Sequence, residues 1–215
     1  MKGHPIFAAI YDRITAGTER AGLGEMRGEL LAGASGRVLE LGAGTGHNLE
    51  HYTDAVTELV MTEPDAYMAR RLRERLASQG SPVARASVVE APAEDLPFDD
   101  GSFDTVVATL VLCTVDDPSR ALAEARRVLV EGGKLLYLEH VRSRSSRLAR
   151  WQDRLERPWG FIGAGCHPNR ATDQLLAGAG FWIDSMEWGK LPKAPRIVRP
   201  IIRGVARRPS AAGTD

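Results

Sequence analysis

The sequence has few cysteines, no excess of either charge and no long apolar run. The two cysteines, Cys113 and Cys166, are too few for a disulfide framework and form no CxxC motif. Lys and Arg total 28, as do Asp and Glu, so no overall basic field favours nucleic-acid binding. The longest apolar-rich run, residues 106–115, has about half the length of a membrane-spanning helix. These absences predict a cytoplasmic protein that binds no nucleic acid, and no feature of the sequence indicates a partner protein.

The length and composition fit one globular domain. The chain has 215 residues, 43% hydrophobic and 26% charged, which excludes a disordered chain, a collagen-like repeat and a coiled coil. We predict a single domain over residues 1–208 and a flexible tail over 209–215. Within the domain we expect an N-terminal helical cap at about 1–33, a cofactor-binding core at about 36–140, and a lid with the C-terminal part at about 141–208.

Strand-like and helix-like segments alternate along the chain. Strands are predicted near 37–41, 58–62, 86–90, 105–113, 134–139, 181–188 and 197–206. Helices are predicted near 4–15, 25–31, 48–52, 65–78, 118–130 and 172–179. This alternation predicts an α/β fold, a Rossmann-like, doubly wound, seven-stranded and mostly parallel sheet with helices on both faces. In such a fold, ligands bind beyond the carboxyl ends of the strands.

A glycine-rich loop follows the first strand. Gly42, Gly44 and Gly46 alternate, and glycine lets the backbone turn sharply and lets a ligand approach closely. Glu63 lies about twenty residues further on, where an acid can bind ribose hydroxyls. The spacing is GxGxG, and Glu40 precedes it. A carboxylate there suits the cationic S-adenosylmethionine and would repel the pyrophosphate of a dinucleotide. The alternatives are an ordinary tight turn and, for Glu63, a helix-capping role.

Three stretches resemble a known family. Residues 38–46 (VLELGAGTG) resemble motif I of class I S-adenosylmethionine-dependent methyltransferases. Residues 93–98 (AEDLPF) with 100–104 (DGSFD), and residues 127–135 around Gly132 and Gly133, resemble the quinone-methyltransferase-like branch, methyltransferase type 11. The resemblance covers about residues 36–140.

A narrower resemblance concerns the animal methyltransferase-like proteins that methylate alkyl thiols. It is carried by residues 109–115 (TLVLCTV), 139–141 (EHV) and 165–170 (GCHPNR), and by Asn48 two residues after the glycine loop. Those proteins have an N-terminal hydrophobic membrane segment that has no counterpart in this sequence, so no membrane anchor is expected here.

The broader resemblance implies a role for each motif residue. The glycines would surround the methionine part of the cofactor, Glu40 would lie near its ammonium group and Glu63 would hold the ribose. Glu94 with Ala93 would border the adenine, where Pro92 replaces an acid present in many relatives. The residues implied to bind S-adenosylmethionine are Glu40, Gly42, Ala43, Gly44, Gly46, Asn48, Glu63, Pro64, Ala93, Glu94, Thr109 and Leu110.

Methyl transfer from a sulfonium group depends mostly on alignment, and a base is needed only when the acceptor must lose a proton. His140 follows the fifth strand and is expected to face the cleft, which makes it the first candidate base. His167 is the second. For either histidine, the alternative is a hydrogen bond within a loop. No metal site is predicted, because Cys166 and His167 have no neighbouring ligands to complete a set of four.

An arginine-rich segment at residues 147–159 is predicted to form a lid helix. Leu148, Trp151 and Leu155 share one face, and arginines flank it. Such a helix can make weak contact with a membrane surface. The alternative, which we favour, is a helix docked on the core with solvated arginines.

The functional hypothesis is an S-adenosylmethionine-dependent methyltransferase that acts on a small-molecule acceptor. The narrower resemblance makes a thiol sulfur the first choice of acceptor, and a quinone-ring carbon or a lipid amine is the alternative. Two rival hypotheses are a nicotinamide-dependent oxidoreductase and a non-catalytic cofactor-binding protein.

Overall fold

The computed structural model describes residues 5–210. The predicted tail at 209–215 therefore lies almost entirely outside the described residues, as do the first residues of the N-terminal cap. The helices are α1 Pro5–Thr18, α2 Gly24–Leu31, α3 Ala66–Gln79, α4 Pro118–Val128, α5 Ser146–Ile162 and α6 Thr172–Gly178. The strands are β1 Gly36–Leu41, β2 Val56–Thr62, β3 Ala86–Val89, β4 Phe103–Thr109, β5 Leu129–His140, β6 Trp182–Lys190 and β7 Pro200–Arg207.

The seven strands form one sheet in the order β3-β2-β1-β4-β5-β7-β6. The pairs among β1 to β5 are parallel, and β7 runs antiparallel to both β5 and β6. The order reverses between β1 and β4, and this switch point opens the crevice in which ligands bind in doubly wound sheets. The predicted fold class is confirmed.

Successive strand residues point to opposite faces of the sheet and build two separate cores. On one face, Val38 and Leu59 pack with Leu31 of α2 and Leu72 of α3. On the other face, the neighbouring strand residues pack with α4 and α6. Because the central strands are covered on both sides, their sequences are almost continuously apolar, as in other parallel sheets.

The fourth strand ends earlier than predicted. It stops at Thr109 rather than at residue 113, because Leu110 adopts a positive φ of 57°. The backbone N–H groups of Val111 and Leu112 then donate to one carboxylate oxygen of Glu139, each at 2.9 Å. An apolar run therefore continues past the strand into a turn that a buried acid from β5 holds in place.

The helix predicted at residues 48–52 is wrong. Only one 3₁₀ turn, Leu49–His51, follows the glycine loop. The Asn48 amide donates to Glu40 at 2.9 Å and the Tyr52 hydroxyl donates to the same carboxylate at 2.7 Å. These two bonds draw the segment back onto β1, so there is no helix N-terminus beyond the glycines to offer unpaired N–H groups.

The predicted lid helix is α5, and it docks on the core. Gln152, fully buried, donates from its amide to the carbonyl oxygens of Pro168 and Ile197, each at 2.8 Å, while Trp151 is 49% exposed. Contact of this helix with a membrane surface stays a prediction. Between residues 5 and 210, no helix has both the length and the apolar character that crossing a membrane requires.

Candidate active site

A cavity of about 570 Å³ lies at the carboxyl ends of β1, β2 and β4. This is the crevice that the strand order predicts. Its walls come from the glycine loop, from the turns after β2, β3 and β4, from α1 and from the turn after α5. The lining residues are Tyr11, Gly42, Gly44, Glu63, Pro64, Asp65, Met68, Pro92, Ala93, Glu94, Leu110, Val111, Thr114, Val115, Asp116, Gly163, Ala164 and Gly165.

The three loop glycines have different roles. All have positive φ, but a Cβ on Gly42 would lie 2.4 Å from Val111 and one on Gly46 would lie 2.7 Å from Leu72. At those two positions, neighbouring protein side chains therefore occupy the space beside the glycine. A Cβ on Gly44 would meet nothing nearer than Tyr11, at 4.0 Å, so Gly44 is the glycine that leaves its space to a ligand.

Glu63 fixes the shape of this loop. One carboxylate oxygen accepts from the Gly44 N–H at 2.8 Å and the other accepts from the Asp65 N–H at 2.9 Å. Burial raises the pKa of Glu63, while the two backbone donors oppose this rise. The side chain also lines the cavity, where its remaining lone pairs can accept from a ligand hydroxyl.

Two of the three other acids of the lining also accept hydrogen bonds from the protein. Glu94 accepts from the N–H groups of Asp116 and Asp117, at 2.8 and 3.3 Å, and Asp65 caps the start of α3. Among the described lining residues there are four acids and no lysine, arginine or histidine. This ring of negative charge fits a cationic cofactor with ribose hydroxyls and would repel a pyrophosphate.

Glu40 lies behind the loop and not in the cavity lining. Its carboxylate accepts from Asn48 and Tyr52, and Asn48 also donates to the Thr109 hydroxyl at 2.8 Å. Burial raises the pKa of Glu40 to about 7, against the effect of its two hydrogen-bond donors. Three predicted cofactor residues thus form a buried hydrogen-bonded network behind the glycine loop.

Arg27 of α2 completes this support and was missed in the sequence. Its guanidinium is buried and donates to Asn48 at 2.8 Å and to Thr109 at 3.1 Å. It also pairs with Glu19 at 3.1 Å. Arg27 therefore ties the N-terminal cap to the ends of β1 and β4. The only signal in the sequence was an arginine within a short helix, which is usually solvated.

Comparisons with known proteins agree with this geometry. The methyltransferase-domain family matches residues 39–137. Human thiol S-methyltransferase TMT1B is 39% identical over 180 residues, which cover 82% of this chain and 73% of that protein. Human thiol S-methyltransferase TMT1A is 32% identical over 203 residues, which cover 93% and 82%. A solved SAM-dependent methyltransferase from Thermotoga maritima has a TM-score of 0.66 at 25% identity, covering 94% of this chain and 98% of that one.

The chain belongs to the class I S-adenosylmethionine-dependent methyltransferases. The prediction of an enzyme is therefore confirmed, and neither the oxidoreductase hypothesis nor the hypothesis of a non-catalytic cofactor-binding protein is supported. Seven of its twelve predicted cofactor residues line the cavity: Gly42, Gly44, Glu63, Pro64, Ala93, Glu94 and Leu110. The other five, Glu40, Ala43, Gly46, Asn48 and Thr109, lie around it as packing or hydrogen-bonding support.

The two candidate bases of the methyltransferase do not line the cavity. His140 is the last residue of β5, is buried, and has an Nδ1 without a hydrogen-bond partner. Burial lowers its pKa to about 4. The expectation that it faces the cleft was wrong, because its side chain is buried in the protein and does not reach the cavity lining. His167 instead points to Glu156, with Nδ1 2.8 Å from the carboxylate.

The rest of the cavity wall comes from α1 and from two turns. Tyr11 is held over the glycine loop because its neighbour Asp12 accepts from Thr45 at 2.5 Å and pairs with His47 at 3.1 Å. Burial raises the pKa of Tyr11 to about 12, so its hydroxyl keeps its proton. The remaining wall is built by the turn at 110–116 and the turn at 163–165. No local pattern reveals that these two turns meet.

Proposed function

We propose that the methyltransferase transfers the methyl group of S-adenosylmethionine to the sulfur of a small thiol. The observation that carries this is the chemistry of the cavity wall. Within the described part of the chain, no imidazole or amine lines the cavity, and Glu63, Asp65 and Glu94 already accept backbone donors. The fourth lining carboxylate, that of Asp116, is exposed. Such a site can align an acceptor but offers little to deprotonate one.

The residues present fit S-adenosylmethionine. Gly44 leaves open space where a larger residue would fill the cavity, and the ring of carboxylates suits a ligand with a sulfonium and an ammonium group. Glu63 would accept from the ribose hydroxyls, and Ala93 with Pro92 would form the apolar border of the adenine. When bound, the cofactor supplies an electrophilic methyl group whose departure leaves a neutral thioether.

A thiol is an acceptor that needs little help from a base on the protein. A thiol as acidic as cysteine, with a pKa of ~8.5, has a few per cent of thiolate at neutral pH, and the thiolate is the nucleophile. A hydroxyl or a quinone carbon would need a base that contributes ~10²–10⁴-fold. The apolar side chains of Leu110 and Val111 suit the alkyl part of the acceptor. The human relatives at 39% and 32% identity are named thiol S-methyltransferases, which supports the same acceptor.

The test is a methyl-transfer assay with labelled S-adenosylmethionine and matched acceptors. An alkyl thiol is compared with the alcohol of the same chain length, a demethylated quinone and phosphatidylethanolamine. We expect label in the thiol alone. Gly44→Val provides the inactive control, since it blocks the cavity. Transfer to the quinone or to the lipid amine in preference to the thiol would overturn the proposal.

A further inference from the structure

The fold brings together two cysteines that are 53 positions apart in the sequence. Cys113 lies in the turn after β4 and Cys166 lies in the turn after α5, and both are buried with free thiols. The two side chains belong to the same buried cluster, and the residue after Cys166 is hydrogen-bonded to the main chain of Cys113. They are the only cysteines of the chain. The pair plays no part in the proposed methyl transfer.

Backbone bonds hold the two turns against each other at this point. The His167 N–H donates to the Cys113 carbonyl oxygen at 2.8 Å. Arg170 spans the same turn, donating to the carbonyl oxygens of Leu112 at 2.5 Å and Val115 at 2.9 Å. One main-chain bond and the Arg170 guanidinium therefore hold the two turns together on either side of the cysteines.

The two thiols differ in reactivity and in access. The neighbouring Cys113 lowers the pKa of the Cys166 thiol, whereas the neighbouring Cys166 and burial raise the pKa of the Cys113 thiol. Cys166 is 7% exposed and Cys113 is 1% exposed. The more acidic thiol is therefore also the more accessible one to a small oxidant.

We propose that Cys113 and Cys166 form a reversible, redox-active dithiol that closes to an intramolecular disulfide between the two turns of the cavity wall. The oxidant is a small peroxide. The Cys166 thiolate attacks one peroxide oxygen, the O–O bond breaks, and a sulfenic acid and hydroxide form, the latter leaving as water. The Cys113 thiol then attacks the sulfenic sulfur, the S–O bond breaks, and the hydroxyl leaves with the Cys113 proton as a second water. Two thiols are oxidised and one peroxide is reduced. Intracellular disulfides of this kind are typically redox-sensing.

The test uses the full chain and hydrogen peroxide as the probe. After treatment, the denatured protein is titrated for thiols, its intact mass is measured, and its peptides are mapped without reduction. We expect titratable thiols to fall from two to none, a mass loss of two hydrogen atoms, and a peptide crosslinked between Cys113 and Cys166. Dithiothreitol should restore both thiols.

Two matched variants test the order of the steps. In Cys113→Ser, Cys166 should stop at the sulfenic acid and be trapped by dimedone. In Cys166→Ser, Cys113 should keep its thiol under the same treatment. The proposal is overturned if the parent protein retains both thiols, or if its disulfide links two chains instead of two turns. The readout needs no methyl acceptor, so it stands apart from any failure of thiol methylation.

Discussion

Replacing Glu63 with alanine should weaken S-adenosylmethionine binding while leaving the sheet intact. The carboxylate accepts from the N–H groups of Gly44 and Asp65 and also faces the cavity. Charge-assisted hydrogen bonds contribute about 1.5–3 kcal/mol each, so loss of the bond to the ribose predicts a Kd raised roughly ten- to hundred-fold. The glycine loop also loses the acceptor that sets its shape, so we expect the rise in Kd to lie toward the upper end of this range.

Glu63→Gln should bind better than Glu63→Ala but worse than the parent. An amide keeps one oxygen acceptor, but its NH₂ group must face one of the two backbone N–H donors. Isothermal calorimetry with S-adenosylmethionine measures all three proteins, and Glu74→Ala on the exposed side of α3 is the control for lost charge. If both Glu63 variants bind like the parent, the carboxylate serves only the loop and the assigned cofactor position is wrong.

Three further predictions concern the glycine loop, the buried arginine and the buried histidine. Gly44→Val should abolish cofactor binding in a calorimetric titration, while Gly80→Val, with a similar positive φ but open space around it, should cost stability and leave binding intact. Arg27→Met should lower the free energy of unfolding in urea by about 3–5 kcal/mol, because it removes the nearest cation from Glu19 and the donor to the buried Asn48 and Thr109; a loss below about 1 kcal/mol would contradict a structural role for that network. For His140, the folded pKa of about 4 lies below the unfolded value of ~6.5, so only the unfolded chain binds a proton between these values. The parent should therefore lose stability as pH falls from about 6.5 to about 4, and His140→Gln should lose less; equal pH slopes in urea titrations would contradict the buried, neutral imidazole.

The cofactor side of the site was predictable because its residues follow strands directly. A residue just after a parallel strand lies at the carboxyl edge of the sheet wherever the strand sits, so Gly44 and Glu63 could be placed from local sequence alone. Glu40 shows the limit of that reasoning. Glu40 lies two residues before Gly42, and its hydrogen bonds to Tyr52 and Asn48, behind the cavity lining, could not be read from that position.

The rest of the cavity wall was not predictable because it depends on contacts between distant segments. Tyr11 reaches the cavity through a helix held by Asp12, and residues 163–165 reach it through a turn fixed to the Cys113 carbonyl oxygen. Neither contact has a local pattern. The position of His140 was predicted wrongly because the end of a strand does not reveal to which face of the sheet the side chain points. In the structure this side chain is buried away from the cavity.

The most direct test of base-free thiol methylation is the pH dependence of kcat/KM for two thiols of different acidity. An alkyl thiol with a pKa of ~8.5 and a more acidic aromatic thiol are methylated by the parent, His140→Gln and Asp116→Asn. We predict that kcat/KM rises about tenfold per pH unit up to the pKa of each acceptor, and that the break moves with the acceptor and is unchanged in both variants. A break that stays at one pH for both thiols, or that disappears in either variant, would show that a group on the protein removes the proton and would contradict this account.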